Sequence, residues 1–351
     1  MKALTAISIA VGMWVALKAS SDGSQPWSRV YGKVYTKKEC EQHQFEKKIV
    51  FTSSETIAFT QLIVCFNAER PQEGVFEFFL RAHTRGKSDD EWQPWCKIAS
   101  WSDSAQRSFS SKNPEASFQH VRLEMNEGLW GNRFEVRVEG TGDASLDKVK
   151  ALFVCASNLK NFKQEKVSQV VQGLSSVFIS GVPKKSQKLI DHPRMGALCS
   201  PTTISMILEF LTGEVVDPLE TARNVYDESL DIFGNWPINM AYAFEKAQGN
   251  FFFYVSRFSS FSQLHHFLSS APVGVSVRGN IKGARKNYPN GHLLVVVGYD
   301  ALKKQVICFD PAFDTLNQVE VAYDIAEFLP AWERSHRLVY VMRPCVKNLN
   351  F

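Results

Sequence analysis

The stretch 182–211 holds the strongest constraint on how this chain folds. From Cys199 it runs Cys-Ser-Pro-Thr-Thr, and apolar residues then recur at Ile204, Ile207, Leu208 and Leu211. That i, i+3, i+4, i+7 spacing predicts a helix with one buried face. Pro201 fits the first helical position, where its missing N–H would have no partner anyway, and Ser200 or Cys199 then serves as N-cap. The thiol therefore falls at a helix N-terminus. Unpaired N–H groups and the positive end of the helix dipole favour thiolate, and such sites bring a cysteine pKa from about 8.5 to roughly 3.5–7.5. A lone cysteine there also reads as a small core residue, so the choice rests on its partners.

Two partners lie downstream. Gly291-His292 opens an apolar run at 293–297, closed by Gly298-Tyr299-Asp300, and a second run at 306–309 ends at Asp310-Pro311. These predict two adjacent antiparallel strands joined by a polar turn around 301–304. A base at the start of one strand and a carboxylate at the end of its neighbour then lie side by side. That suits a Cys–His–Asp triad, with His292 taking the thiol proton and Asp310 fixing the imidazole tautomer.

The segments 182–187, 199–203, 234–242 and 291–299 together with Asp310-Pro311 resemble the peptidases related to bacteriocin-processing, double-glycine leader peptidases, which have a papain-like fold. The resemblance covers roughly 177–343, and its Cys-Ser-Pro-Thr and Gly-Asn-Trp-Pro blocks are specific. It implies Cys199 as nucleophile, His292 as base, Asp310 as orienting acid and Gln187 as side-chain donor of the oxyanion hole. Leu198 stands where many relatives carry Trp. Trp236 and Asn239, in and just after a Gly-Asn-Trp-Pro loop ahead of a predicted helix running to about Lys246, are candidates for substrate contacts; Trp236 suits a cleft wall and reads equally as a packed core cover.

Before that region the pattern changes. Runs at 60–66, 74–81, 95–101, 118–124, 134–139 and 151–156 are β-prone, several of them separated by Gly, Pro, Asp and Ser. The expected class is α+β: an antiparallel β-sandwich-like domain over 27–157, a polar linker at 158–173, and a papain-like cysteine peptidase domain over 174–351. Trp92, Trp95, Trp101 and Trp130 read either as core aromatics or as a carbohydrate-stacking face. Further expected features of the second part are helices beginning at Asp217-Pro218 and over 261–268, strands at 273–278 and 337–342, and a loop 288–291 that delivers His292.

Met1-Lys2, an apolar run at 3–17 and Lys18-Ala19-Ser20-Ser21 predict a signal peptide over 1–21 and hence an exported protein with no integral span after cleavage. A net charge of +4 without a basic-aromatic module gives no reason to expect nucleic acid. Of seven cysteines, the six besides Cys199 are free to pair or to stay as buried thiols. Their spacings match no zinc motif, and neither metal nor cofactor is expected. The reading is a cysteine peptidase acting on peptides or proteins. An amidase or acyl transferase using the same triad, and a catalytically silent binding protein on this scaffold, are the alternatives.

Overall fold

The computed structural model describes residues 26–44, 47–85 and 91–345. The expected signal peptide lies outside them. Among the described residues, the first part of the chain has eleven strands: β1 (Ser28–Val34), β2 (Lys48–Thr52), β3 (Gln61–Ala68), β4 (Val75–Arg85), β5 (Cys96–Trp101), β6 (Arg107–Ser108), β7 (Ser111–Lys112), β8 (Ala116–Gln119), β9 (Arg122–Met125), β10 (Trp130–Thr141) and β11 (Val149–Ser157), with α1 (Lys37–Gln44) after β1. They form two antiparallel sheets, ordered β1-β11-β3-β9-β8-β7 and β2-β10-β4-β5-β6. Alternation decides their inner faces: Phe76, Phe78, Leu80 and Ala82 of β4 point inward while Glu77, Phe79 and Arg81 remain partly open. Phe66 of β3 stacks on Phe78 of β4 with ring centroids 4.0 Å apart, so apolar residues of the two sheets share one core.

The second part contains α2 (Val167–Val170), β12 (Val177–Phe178), α3 (Cys199–Thr212), α4 (Pro218–Asn224), α5 (Trp236–Lys246), β13 (Phe251–Arg257), α6 (Phe261–Phe267), β14 (Val273–Gly279), β15 (Tyr288–Asp300), β16 (Gln305–Phe309), α7 (Leu316–Val319), β17 (Glu320–Asp324), α8 (Ile325–Glu333) and β18 (Leu338–Pro344). Its sheet runs β13-β18-β14-β15-β16-β17, and β12 pairs with β15. Helix signals hold locally. Asp217 caps α4 by accepting from Leu219 N–H at 2.9 Å, and Gly213 ends α3 in the left-handed conformation.

The two parts are joined face to edge. β3 is buried on both sides, and its outer face meets β13, the edge strand of the third sheet. Asn67 of β3 donates to the Phe253 carbonyl at 2.7 Å and accepts from the Phe253 N–H at 2.8 Å. Val255 N–H donates to the Cys65 sulfur at 3.3 Å, and Arg257 donates to Gln61 Oε1 at 2.8 Å. Side chains at alternate positions of β3 thus satisfy the backbone that an exposed edge would leave open. The apolar core is continuous across the joint.

Two local expectations change. The predicted strand 118–124 is a hairpin, because His120 and Val121 both take positive φ, at 56° and 57°, and turn the chain between β8 and β9. Residues 288–291 are not a loop but the start of β15. The segment 158–173 is docked by hydrogen bonds: Glu165 N–H donates to Glu333 at 2.8 Å, and the Glu165 carboxylate accepts from Phe261 N–H at 2.8 Å. All seven cysteines are unbridged. No helix among the described residues is long and apolar enough to cross a membrane.

Candidate active site

Helix α3 begins at Cys199 itself, with Leu198 as cap and no side chain capping it. The expectation of an N-cap at Cys199 or Ser200 is therefore one or two residues late. Pro201 still falls in the first turn, where an absent N–H costs no bond. Ser200 does not cap because its buried hydroxyl bonds Asn239 Oδ1 at 2.8 Å and the Tyr340 hydroxyl at 2.7 Å. The residues from Ser200 to Leu208 are all buried. Helix and sheet approach closely at Gly274, where a Cβ would stand 3.3 Å from Ile207 Cδ1 and 3.1 Å from Tyr340.

The first-turn donors are nearly all used. Thr202 N–H goes to the Leu198 carbonyl at 3.0 Å, Pro201 has none, and Ser200 N–H helps to lower the Cys199 thiol pKa. Cys199 N–H has no backbone acceptor outside the helix among the described residues.

His292 lies in β15 directly after Gly291, whose φ of +91° is one that L side chains rarely adopt. Val295 pairs with Phe309 across β15 and β16, which brings Asp310, the next residue, beside the imidazole. His292 Nε2 is 2.7 Å from Asp310 Oδ1, and the ring lies close enough to the Cys199 sulfur for each group to shift the other's pKa. With Nε2 on the carboxylate, Nδ1 is the atom left for sulfur. Cys199 is half-buried, while His292 and Asp310 are 3% and 0% exposed. One end of the row is open.

The charges favour an ion pair. Burial alone pushes the Cys199 thiol up, but the hydrogen bond and charge of His292, with N–H groups of Leu293 and Ser200, bring it net below its ordinary value. Burial alone pushes His292 down, yet the charge and hydrogen bond of Asp310, helped by Cys199, raise it to about 10. Asp310 is held below its usual range despite burial, chiefly by His292 and then by Ala312 N–H and the Tyr323 hydroxyl.

Residues 179–340 match the model of the Peptidase_C39 like family. The match supports a papain-like cysteine peptidase domain here and a hydrolase whose substrates are peptides or proteins. It does not single out the bacteriocin-processing subgroup. No curated protein and no solved structure matches the chain.

The other expected site residues fall into three situations. Gln187 is 1% exposed, and its backbone N–H bonds the Pro311 carbonyl at 2.9 Å, which ties it to the Asp310 turn. Its amide donates one hydrogen to the Met195 carbonyl at 2.9 Å, and its Oε1 has no partner among the described residues. A second amide hydrogen remains. Trp236 is half-buried at the start of α5, with the Arg122 guanidinium of β9 5.7 Å from its ring, so the first part of the chain reaches this wall. Asn239 is 0% exposed and its amide is spent on the carbonyls of Phe233 and Asn235, at 2.9 and 2.8 Å. It braces the loop before α5 against Ser200 rather than facing a cleft.

Two residues went unnoticed in the sequence. Tyr288 lies parallel to the His292 ring, centroids 4.1 Å apart at 11°, and Tyr323 reaches Asp310 from β17. A signal existed for Tyr288 alone: in a strand it shares a face with His292, four residues on.

Proposed function

We propose that this chain is a cysteine peptidase whose nucleophile is Cys199, with His292 as acid and base, Asp310 as orienting carboxylate, and the backbone N–H of Cys199 and the side-chain amide of Gln187 as oxyanion donors. The observation that carries this reading is the row Cys199–His292–Asp310, with its imidazole bonded to the carboxylate at 2.7 Å, its thiol acidified, its imidazole made more basic, and Cys199 only half-buried. The thiolate attacks a peptide carbonyl. The resulting oxyanion sits between the two donors, each worth roughly 3–4 kcal/mol in comparable sites. Imidazolium then protonates the leaving amine as the C–N bond breaks, leaving a thioester. Neutral imidazole takes a proton from water, hydroxide adds to the thioester, and the acid leaves as the thiolate returns.

The same proposal includes export directed by residues 1–21 and a sandwich-like reading of the two sheets in 27–157. The resemblance to leader-processing peptidases favours polypeptide substrates over small amides. A peptide-library cleavage profile of the full chain, with Cys199→Ala as control, tests it. Cleavage lost in the control is the expected result, and equal cleavage by both proteins overturns the reading.

A further inference from the structure

Asp310 accepts more hydrogen bonds than orienting one histidine requires. Its Oδ1 takes His292 Nε2 at 2.7 Å and Ala312 N–H at 2.9 Å, while its Oδ2 takes the hydroxyls of Tyr288 at 2.9 Å and Tyr323 at 2.7 Å. The two phenols come from β15 and β17, and both residues are nearly inaccessible, at 2% and 1% exposed. Tyr288 also stacks on the imidazole it precedes. We propose that Tyr288 and Tyr323 are positioning residues that hold Asp310 as an ionised, fixed carboxylate, and that the Tyr288 ring covers one face of His292. This rests on the proposed peptidase function and adds to it the groups that keep its base oriented.

The chemistry of the donors supports the assignment. A buried carboxylate with a single partner tends to neutralise by taking a proton, whereas several donors keep it charged. A cation in place of the phenols would cancel the charge that makes His292 basic. Phenols supply hydrogen bonds without cancelling it. Burial and the charge of Asp310 push both phenol pKa values up, so each remains a donor. Because Asp310 is an anion that only accepts, His292 Nε2 carries a proton, which leaves Nδ1 as the atom that takes the thiol proton. The charge of Asp310 also reaches Cys308 of β16, whose thiol burial and that charge push well above its ordinary value. Cys199 of α3 lies beyond His292, and the charge of Arg285, paired with Asp314 at 2.8 Å, reaches Tyr288.

The test needs no substrate: the pH dependence of Cys199 alkylation by iodoacetamide in the full chain, for wild type, Tyr323→Phe, Tyr288→Phe and Tyr288→Leu. Losing a phenol donor raises the Asp310 pKa, so the imidazolium that stabilises thiolate is less well held at low pH. The acid limb then moves up by about half a pH unit or more in either Phe variant. Where a peptide substrate is in hand, kcat falls at constant KM, since neither tyrosine is placed to touch substrate. Tyr288→Leu, which also removes the stacked ring, shows the larger effect, and Tyr288→Phe restores part of it. A purely structural role lowers Tm and the alkylatable fraction while leaving the limb of that fraction in place. An unmoved limb in the Phe variants overturns the carboxylate role, and equal behaviour of Tyr288→Phe and Tyr288→Leu overturns the covering role. Slow wild-type alkylation strikes instead at the peptidase reading. In that case His292 ring 15N shifts across pH in Tyr323→Phe and wild type still test the tyrosines: a changed titration supports them and an identical one overturns them.

Discussion

The outer face of the second sheet and the row at Cys199 both gather charges and rings, and they resolve them in opposite ways. On the sheet, Arg81 lies over Trp92 and Trp95, 4.9 and 4.5 Å from their rings, and bonds Glu135 at 2.5 Å. Arg137 covers the same Trp95 at 4.4 Å and Phe79 at 4.5 Å. Each guanidinium is matched by rings and carboxylates. At Cys199 the row is matched at its Asp310 end and open at its sulfur. Saturated charges hold a surface together, and a row with one unfinished end can react with something else. Cysteine pKa values follow the same division: burial pushes Cys65 and Cys345 up to about 12 and Cys40, Cys96 and Cys308 upward, and Cys199 moves down.

The sharpest way to break this contrast is to remove the open end. Cys199→Ala and His292→Ala each lower kcat/KM by a factor on the order of 10³ or more, and Asp310→Asn leaves residual turnover. Steady-state kinetics on any peptide cut by the wild type measures this. Retained turnover in Cys199→Ala removes the basis for separating the two regions.

The next largest effect is in pH. Because Cys199 is lowered and His292 raised to about 10, thiolate and imidazolium coexist between the two values. Activity rises as pH climbs through the depressed thiol pKa and falls as it passes that of His292. Iodoacetamide alkylates Cys199 before any other cysteine, with a midpoint below that of free cysteine. Mass spectrometry across pH shows which thiol reacts first, and prior modification of Cys65 or Cys308 contradicts the division of pKa values.

Much of the Cys199 region was legible in the sequence because short-range rules govern it. A helix-start signal fixed Cys199 to within two residues, and two apolar runs with a polar turn put His292 beside Asp310. Tyr323 was not legible, since it reaches the site only through the pairing of β16 with β17, which no local pattern encodes. Asn239 misled because its polar character was satisfied inside the fold. In the sheet region the strands were visible but their use was not. The His120-Val121 turn lacks Gly or Asn, and Val121 holds positive φ while fully buried, its carbonyl taking Val64 N–H at 3.1 Å. Tertiary packing overrides the turn chemistry there. The carbohydrate-face reading of the tryptophans dissolves for three of the four: Trp101 is core, its indole N–H on the Ala68 carbonyl at 3.1 Å, and Trp92 and Trp95 have arginines on their rings.

A third prediction concerns the joint between the regions. Asn67→Ala leaves the buried N–H and carbonyl of Phe253 without their side-chain partners, at a cost of about 2–4 kcal/mol. Urea unfolding gives a lower midpoint at unchanged slope. For the same reason, cleavage within 158–173 leaves the two parts associated on size-exclusion chromatography. Clean separation after such a nick shows that the face-to-edge contacts are weak and the regions independent.

The smallest effect is expected on the saturated face itself. Glu135→Gln removes the charge facing Arg81, a pair whose side chains are 28% and 13% exposed. Partial solvation screens such pairs, which are typically worth under about 1 kcal/mol, and Arg81 keeps both tryptophan faces after the change. Stability should therefore fall by less than about 1 kcal/mol, and kcat/KM should not move, because this face contributes no group to the Cys199 row. Urea unfolding and steady-state kinetics on one preparation measure both. A loss above about 3 kcal/mol is the size seen when one partner of a buried pair is left uncompensated. That result makes Arg81 and Glu135 a dependent buried network, and the contrast between a finished surface and an unfinished site no longer holds.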